Sequence, residues 1–155
     1  MNLFKIATIR PFSVLLICLM ILNTLEAKPN KMPPFSLPIY KGAEAYTYPL
    51  KKKKTTLVNF WASWCTSCIQ EIPELEELKK RFPEVEFLAV NAGDTKKKIK
   101  KFLKKTGFSY KTLMDKDKSF SKGLGVLSLP ITMVIDKEGK IIYHSTKPPK
   151  SINTK

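Results

Sequence analysis

Cys65 and Cys68 stand two residues apart in the stretch FWASWCTSC (60–68), and the chain has one other cysteine, Cys18. A cysteine pair at this spacing has four chemical uses: metal ligation, a structural cross-link, haem attachment, or reversible electron exchange with another disulfide. A structural zinc site takes four ligands, usually as two separated Cys or His pairs, and the single His144 is the only further candidate. A structural disulfide stabilises chiefly by closing a long loop in the unfolded chain; one between these two cysteines would enclose two residues. Haem attachment needs a histidine directly after the second cysteine, where Ile69 stands. Dithiol redox chemistry is the use that remains.

The neighbouring elements must set the two thiols apart in role. TTLVNFWA (55–62) is a β-branched and aromatic run, apolar at nearly every position, and predicts a central strand covered on both faces. CIQEIPELEELKKRF (68–82) follows with Ile69, Ile72, Leu75, Leu78 and Phe82 at helical spacing, acids early and Lys79, Lys80 and Arg81 late, in accord with the helix dipole. The cysteines thus fall where a strand turns into a helix N-terminus. There an exposed Cys65 meets unpaired N–H groups and the positive dipole end, which favour its thiolate. Cys68, one turn in and more buried, is placed to attack a mixed disulfide once it forms.

The rest of the chain reads as further strands and helices. EVEFLAVNA (84–92) predicts a second strand. DTKKKIKKFLKKTG (94–107) predicts a helix capped by Asp94 or Thr95 and stopped by Gly107, with Ile99, Phe102 and Leu103 as its narrow apolar face. YKTLMD (110–115) is a short extended piece and KSFSKGLGV (118–126) a short helix or turn. LPITMVID, a turn at 137–140, and KIIYHS form a hairpin with alternating apolar positions. Strands alternating with helices, then a late hairpin, predict an α/β sandwich with a mixed sheet.

Compartment follows from the N-terminus. Lys5 and Arg10 precede an apolar run from Pro11 to Leu22, and Ala27 closes the segment with a small residue, the layout of a secretory signal. Residues 1–27 are therefore expected to be a signal cleaved after Ala27, or else an N-terminal membrane anchor. Cys18 would invite lipidation, but Ile17 is not the small residue expected before a lipidated cysteine. Export places the protein in the periplasm or on the outer side of a bacterial membrane. Residues 28–147 are expected to form one domain, followed by a polar tail at 148–155.

From about Pro34 to Ser145 the chain resembles the TlpA/ResA group of exported, thioredoxin-like thiol-disulfide oxidoreductases. The matching pieces are PPFSLPIYKG as an N-terminal β-hairpin, LVNFWASWCTSCIQEIPEL as the active-site strand and helix, FLAVNAGD as the next strand, and GVLSLPITMVIDKEGKI as a cis-proline hairpin. The resemblance implies a thioredoxin-like sandwich, a central mixed sheet flanked by helices, acting as a monomer through a redox-active Cys65–Cys68 disulfide with no other cofactor. It makes Cys65 the attacking thiol and Cys68 the resolving one, and has Pro130 in cis form dock a substrate strand with the Leu129 backbone. By itself the sequence reads Pro130 as a strand-start proline of ordinary trans geometry. Glu71 falls where members of the group carry a proton-handling glutamate, against its plain reading as an early helix acid. Trp64 becomes the expected substrate contact and Trp61 a core residue. Asn59 stands where cytosolic thioredoxins have a buried acid, which leaves the proton-carrying role to Glu71.

Two departures qualify this reading. Thr66 and Ser67 lie between the cysteines, where the group usually has proline just before the second one; the added N–H favours a more oxidising disulfide. The chain also ends STKPPKSINTK, where the group continues into a last helix over one sheet face. The resemblance implies protein thiol or disulfide substrates, apocytochrome c among them, and a membrane or periplasmic dithiol as electron donor. Reduction of disulfides in exported proteins is the reading the resemblance favours; a disulfide oxidase or isomerase of the same fold, and a non-catalytic docking module, are the alternatives.

The formal net charge of +15 is carried almost wholly by lysine. Runs at 51–54 and 96–105 read as a solvated face, or as an attraction to an anionic membrane surface or an acidic partner. Nucleic acid is not expected for a chain read as exported.

Overall fold

The computed structural model describes residues 29–51 and 53–154; the expected signal segment lies outside them. Seven strands and three helices follow in the order β1 (Phe35–Pro38), β2 (Ala45–Tyr48), β3 (Thr56–Trp61), α1 (Thr66–Arg81), β4 (Glu86–Ala92), α2 (Lys96–Thr106), β5 (Lys111–Asp115), α3 (Ser119–Gly123), β6 (Ile131–Ile135) and β7 (Ile141–Ser145). β1 and β2 form an antiparallel two-stranded sheet, and the other five strands form a mixed sheet in the order β5-β4-β3-β6-β7. β3, β4 and β5 run parallel, joined by the crossovers α1 and α2, while β6 and β7 run antiparallel. This is the thioredoxin-like arrangement with an N-terminal hairpin that the resemblance implies.

β3 explains the placement of the cysteines. It lies in the middle of the sheet and all its residues are buried, which is why its sequence is apolar without alternation. β6, beside it, is likewise buried at every position, so the alternation expected of the final hairpin is absent from its first strand. Being flanked by β3 and β7, with cover above and below, β6 has no solvent face on which polar residues would be placed.

The two faces of the sheet carry separate cores. Leu57, Ala89 and Val134 point to one face, where Ile72, Leu75 and Leu78 of α1 and Ile99 and Phe102 of α2 cover them. Val58, Phe60, Leu88, Val90 and Met133 point to the other, covered by the β1–β2 hairpin and α3; Phe35 of the hairpin packs at a tilt against Phe120 with centroids 4.3 Å apart. Trp61 is fully buried on the α2 side, 4.3 Å from Phe102 and 5.5 Å from Phe108 between ring centroids. That makes it the core residue expected.

After β7 the described chain forms no further helix. The tail itself lays Pro148, Pro149 and Ile152 against the protein, and Ile152 joins the core that holds α1. One isoleucine and two φ-restricted prolines thus supply cover that the largely polar composition of the tail did not suggest.

α2 is held by its ends and by its narrow face. Thr95, not Asp94, is its N-cap, accepting the Lys98 N–H, and Gly107 closes it in the left-handed conformation (φ 67°) with its N–H on the Leu103 carbonyl. Its lysines repeat at i, i+4, a spacing that opposes the helix by about 0.2–0.5 kcal/mol per pair. Burial of Ile99 and Phe102 against Trp61 offsets that repulsion.

Candidate active site

The backbone turns at Ser63 and Trp64 between the end of β3 and the start of α1, and Cys65 is the N-cap of the helix. Its sulfur accepts the Cys68 N–H at 3.2 Å, the place an N-cap oxygen would take, and is bonded to Cys68 with 5.3 Å between the Cα atoms. The helix N-terminus therefore sets an N–H donor and the positive dipole end on this sulfur, which stabilise it as a thiolate after reduction. Cys65 is not exposed in this oxidised state: it is 5% accessible and Cys68 4%. Bonded to Cys68, its Sγ is drawn in over the first turn of α1, so the expected difference in burial is not seen while the disulfide is closed.

The Leu129–Pro130 peptide is cis, as the resemblance implied, and Pro130 is buried directly before β6, with Leu129 half-buried. A second cis peptide, Tyr48–Pro49, carries no sequence signal and ends β2. Pro130 and Leu129 border a groove of about 490 Å³ with Ser67, Glu71, Glu74 and Lys147. Glu71 is half-buried in it, and its Oε2 is sealed from solvent with no hydrogen-bond partner. Burial, with a smaller push from Glu74 and an opposing pull from Lys147, raises its pKa from 4.5 to about 7. It follows Cys68 by three positions and so shares that face of α1.

On the other side of the disulfide, Trp64 is 65% exposed and Leu127 is 90% exposed. These two large apolar side chains are the knobs beside a smaller groove, about 240 Å³, lined by Ala92, Val126 and Leu129 and edged by Lys118 and Lys122. Leu127 was not singled out from the sequence; its place three residues before Pro130 is the signal that could have found it. Asn59, at the position of the buried acid in cytosolic thioredoxins, is fully engaged in the sheet, donating from Nδ2 to Thr132 Oγ1 at 3.1 Å. It carries no titratable group into the site.

Asp94 is the residue whose role the sequence concealed. Rather than capping α2, its buried carboxylate accepts the Ser63 N–H at 2.6 Å, the Ser63 hydroxyl at 2.9 Å and an Asn91 Nδ2–H at 2.9 Å. The Asp94 N–H in turn donates to Asn91 Oδ1. This bracket ties the loop that presents Trp64 and Cys65 to the end of β4. Asp94→Ala removes the acceptor of the part-buried Ser63 N–H and hydroxyl, and is expected to cost about 2 kcal/mol, read as a lower denaturant midpoint. Asp94→Asn keeps one acceptor oxygen and is expected to cost about half as much.

Among the described residues no group of three or more His, Cys, Asp or Glu side chains could hold a metal ion, and no helix is long and apolar enough to cross a membrane.

Comparison with known proteins agrees with the geometry. The chain is 37% identical over 93 residues to the thiol-disulfide oxidoreductase ResA of Bacillus thuringiensis, a match covering 59% of this chain and 54% of that protein. It is 33% identical over 121 residues to ResA of Geobacillus thermodenitrificans, covering 77% and 69% respectively. The chain thus spans about half the length of the first of these relatives. Among solved structures, a thiol-disulfide oxidoreductase from Bacteroides fragilis superposes with a TM-score of 0.69 at 25% identity, over 76% of this chain and 91% of that one. Residues 27–154 match the Redoxin family, and with its thioredoxin-like sheet and its paired cysteines at the head of α1 the chain belongs to that family.

Proposed function

We propose that this chain is an exported dithiol reductant of protein disulfides. The observation that carries the reading is the Cys65–Cys68 disulfide at the N-terminus of α1, with the raised carboxyl of Glu71 on the same helical face. In the reduced state the Cys65 thiolate attacks a substrate disulfide. A Cys65–substrate bond forms as the substrate S–S bond breaks, and one substrate thiolate leaves. Cys68 then gives its proton to Glu71 and attacks Cys65 Sγ, which closes the disulfide of the chain and releases the second substrate thiol. Two electrons pass from the dithiol to the substrate, and an external dithiol donor restores the reduced state by the same exchange in reverse. Trp64, Leu129 and Pro130 hold the substrate segment beside the sulfurs, with Leu127 as a second apolar contact.

Export, by a signal at residues 1–27 or by an anchor there, places this exchange in the periplasm or on the outer side of the membrane. The substrates in this reading are exported thiol proteins, apocytochrome c among them.

A second reading keeps the fold and reverses the flow: a disulfide donor or isomerase. It is favoured by Thr66 and Ser67, because Ser67 at the second helical position supplies a backbone N–H where proline would have none. The equilibrium reduction potential distinguishes the two, measured in a graded thiol buffer with Trp61 and Trp64 fluorescence as the readout. A reductant is expected near thioredoxin's value, about −270 mV. A value near −120 mV, the strongly oxidising end, would assign the chain to disulfide donation instead.

A further inference from the structure

We propose that the outer face of α2, with the groove beside it, is a docking surface for an anionic phospholipid bilayer. Apart from Ile99, Phe102, Leu103 and Thr106, every residue of α2 is a lysine, and all of these lysines are exposed. No acid lies on the helix, and among the described residues none of its ammonium groups forms an ion pair or a side-chain hydrogen bond; the two ion pairs are Arg81–Glu77 and Lys111–Glu86. The like charges oppose the helix, and among the described residues no acidic side chain pairs with them.

A second feature adjoins the face. A groove of about 810 Å³ runs between the C-terminal half of α2, the loop at Ile39–Lys41 and the edge strand β5. Its floor includes Leu103, Phe108 and Tyr40, and Lys41, Lys100 and Lys104 stand around it. No Asp or Glu lines it. The one lysine of this rim with a partner is Lys111, held by Glu86 at 2.8 Å.

The chemistry favours lipid over an acidic protein. Arg10 and Arg81 are the only arginines of the chain, so this face offers no planar forks matched to carboxylates at fixed positions. Mobile ammonium groups spread over a helix suit a plane of laterally mobile phosphates, to which each lysine near the surface adds about fivefold in affinity. Because Ile99 and Phe102 are committed to the core, the helix lies on the headgroups and does not insert. The face lies at the β5 edge of the sheet, whereas the disulfide follows central β3, so contact there leaves the sulfurs open to a protein substrate. The proposal does not depend on the direction of electron flow.

The test uses the full chain with vesicles of phosphatidylcholine alone or with one quarter phosphatidylglycerol. Amine acetylation read by mass spectrometry reports each lysine separately, which distinguishes this face from any contribution of residues 1–27. With anionic vesicles Lys41, Lys100, Lys101 and Lys104 are expected to lose at least about fivefold in reactivity, reversibly with salt, while Lys122 and Lys137 keep theirs. The triple variant Lys100→Gln, Lys101→Gln, Lys104→Gln is expected to bind anionic vesicles about 100-fold more weakly. Its binding to neutral vesicles and its circular dichroism are expected to stay unchanged. Unaltered anionic binding by the triple variant would overturn the proposal, and so would equal protection of every lysine. Protection of this face by soluble polyglutamate but not by vesicles would overturn it in favour of an acidic polypeptide.

Discussion

A Cys68→Ser variant will arrest the exchange halfway and accumulate as a mixed disulfide between Cys65 and its protein substrate. The serine hydroxyl cannot displace sulfur, so the bond formed by the Cys65 thiolate has no route to resolve within the chain. Turnover is expected to fall to the uncatalysed background in both Cys65→Ser and Cys68→Ser, and only the second should be recovered covalently joined to other proteins on non-reducing gels. Loss of fold does not account for the expected difference. The disulfide encloses two residues, and its loop-closure contribution is on the order of 2 kcal/mol or less. The double variant separates chemistry from docking: if it supports cellular function as well as the wild type, the cysteines are incidental and Pro130 and Trp64 mark a docking module. Identifying the trapped proteins would name the substrates directly, which no feature of Trp64 or Leu127 can do.

The sequence made this site legible to the extent that local rules governed it. β3 announced itself because a strand buried on both faces needs no alternation, and α1 because Ile72, Leu75 and Leu78 recur at helical spacing. Their junction therefore puts the cysteine pair at a helix N-terminus from sequence alone, and the structure makes Cys65 the N-cap. What remained hidden depended on contacts distant in sequence. Asp94 and Thr95 are adjacent residues of cap type, and only the approach of Ser63 from the loop after β3 decides that Thr95 caps while Asp94 holds that loop. β6 looked like a half-exposed strand because Thr132 interrupts its apolar run. Inside the sheet that threonine is buried and accepts from Asn59. The tail read as polar because one Ile152 among lysines and prolines has no periodicity, yet a single buried anchor suffices to seat it. The near-equal burial of the two sulfurs was beyond reach for another reason. It belongs to the oxidised state, and a sequence does not specify a redox state.

Glu71→Gln is expected to slow the resolving step about 100-fold at pH 7.5, the lower end of what a positioned proton acceptor contributes. The pH dependence gives the sharper test. With its pKa raised to about 7, Glu71 is mostly neutral at pH 6 and mostly ionised at pH 8, and only the ionised form can take the Cys68 proton. The wild-type rate should rise through an inflection near pH 7 that the glutamine variant lacks, leaving only the later rise from thiol ionisation. Stability should move the other way. The folded-state pKa lies above the unfolded value of 4.5, so what the neutral carboxyl contributes is fully present below about pH 4.5 and lost as pH rises through about 7. Glutamine, which never ionises, should match the wild type at pH 4 and exceed it above pH 7, with the denaturant midpoint as the measure. A residue serving only as a helix acid would show neither the lost inflection nor the gain in stability. Finding both in one substitution would mean that the buried, unpartnered Oε2 is kept at a cost in stability for the proton it handles.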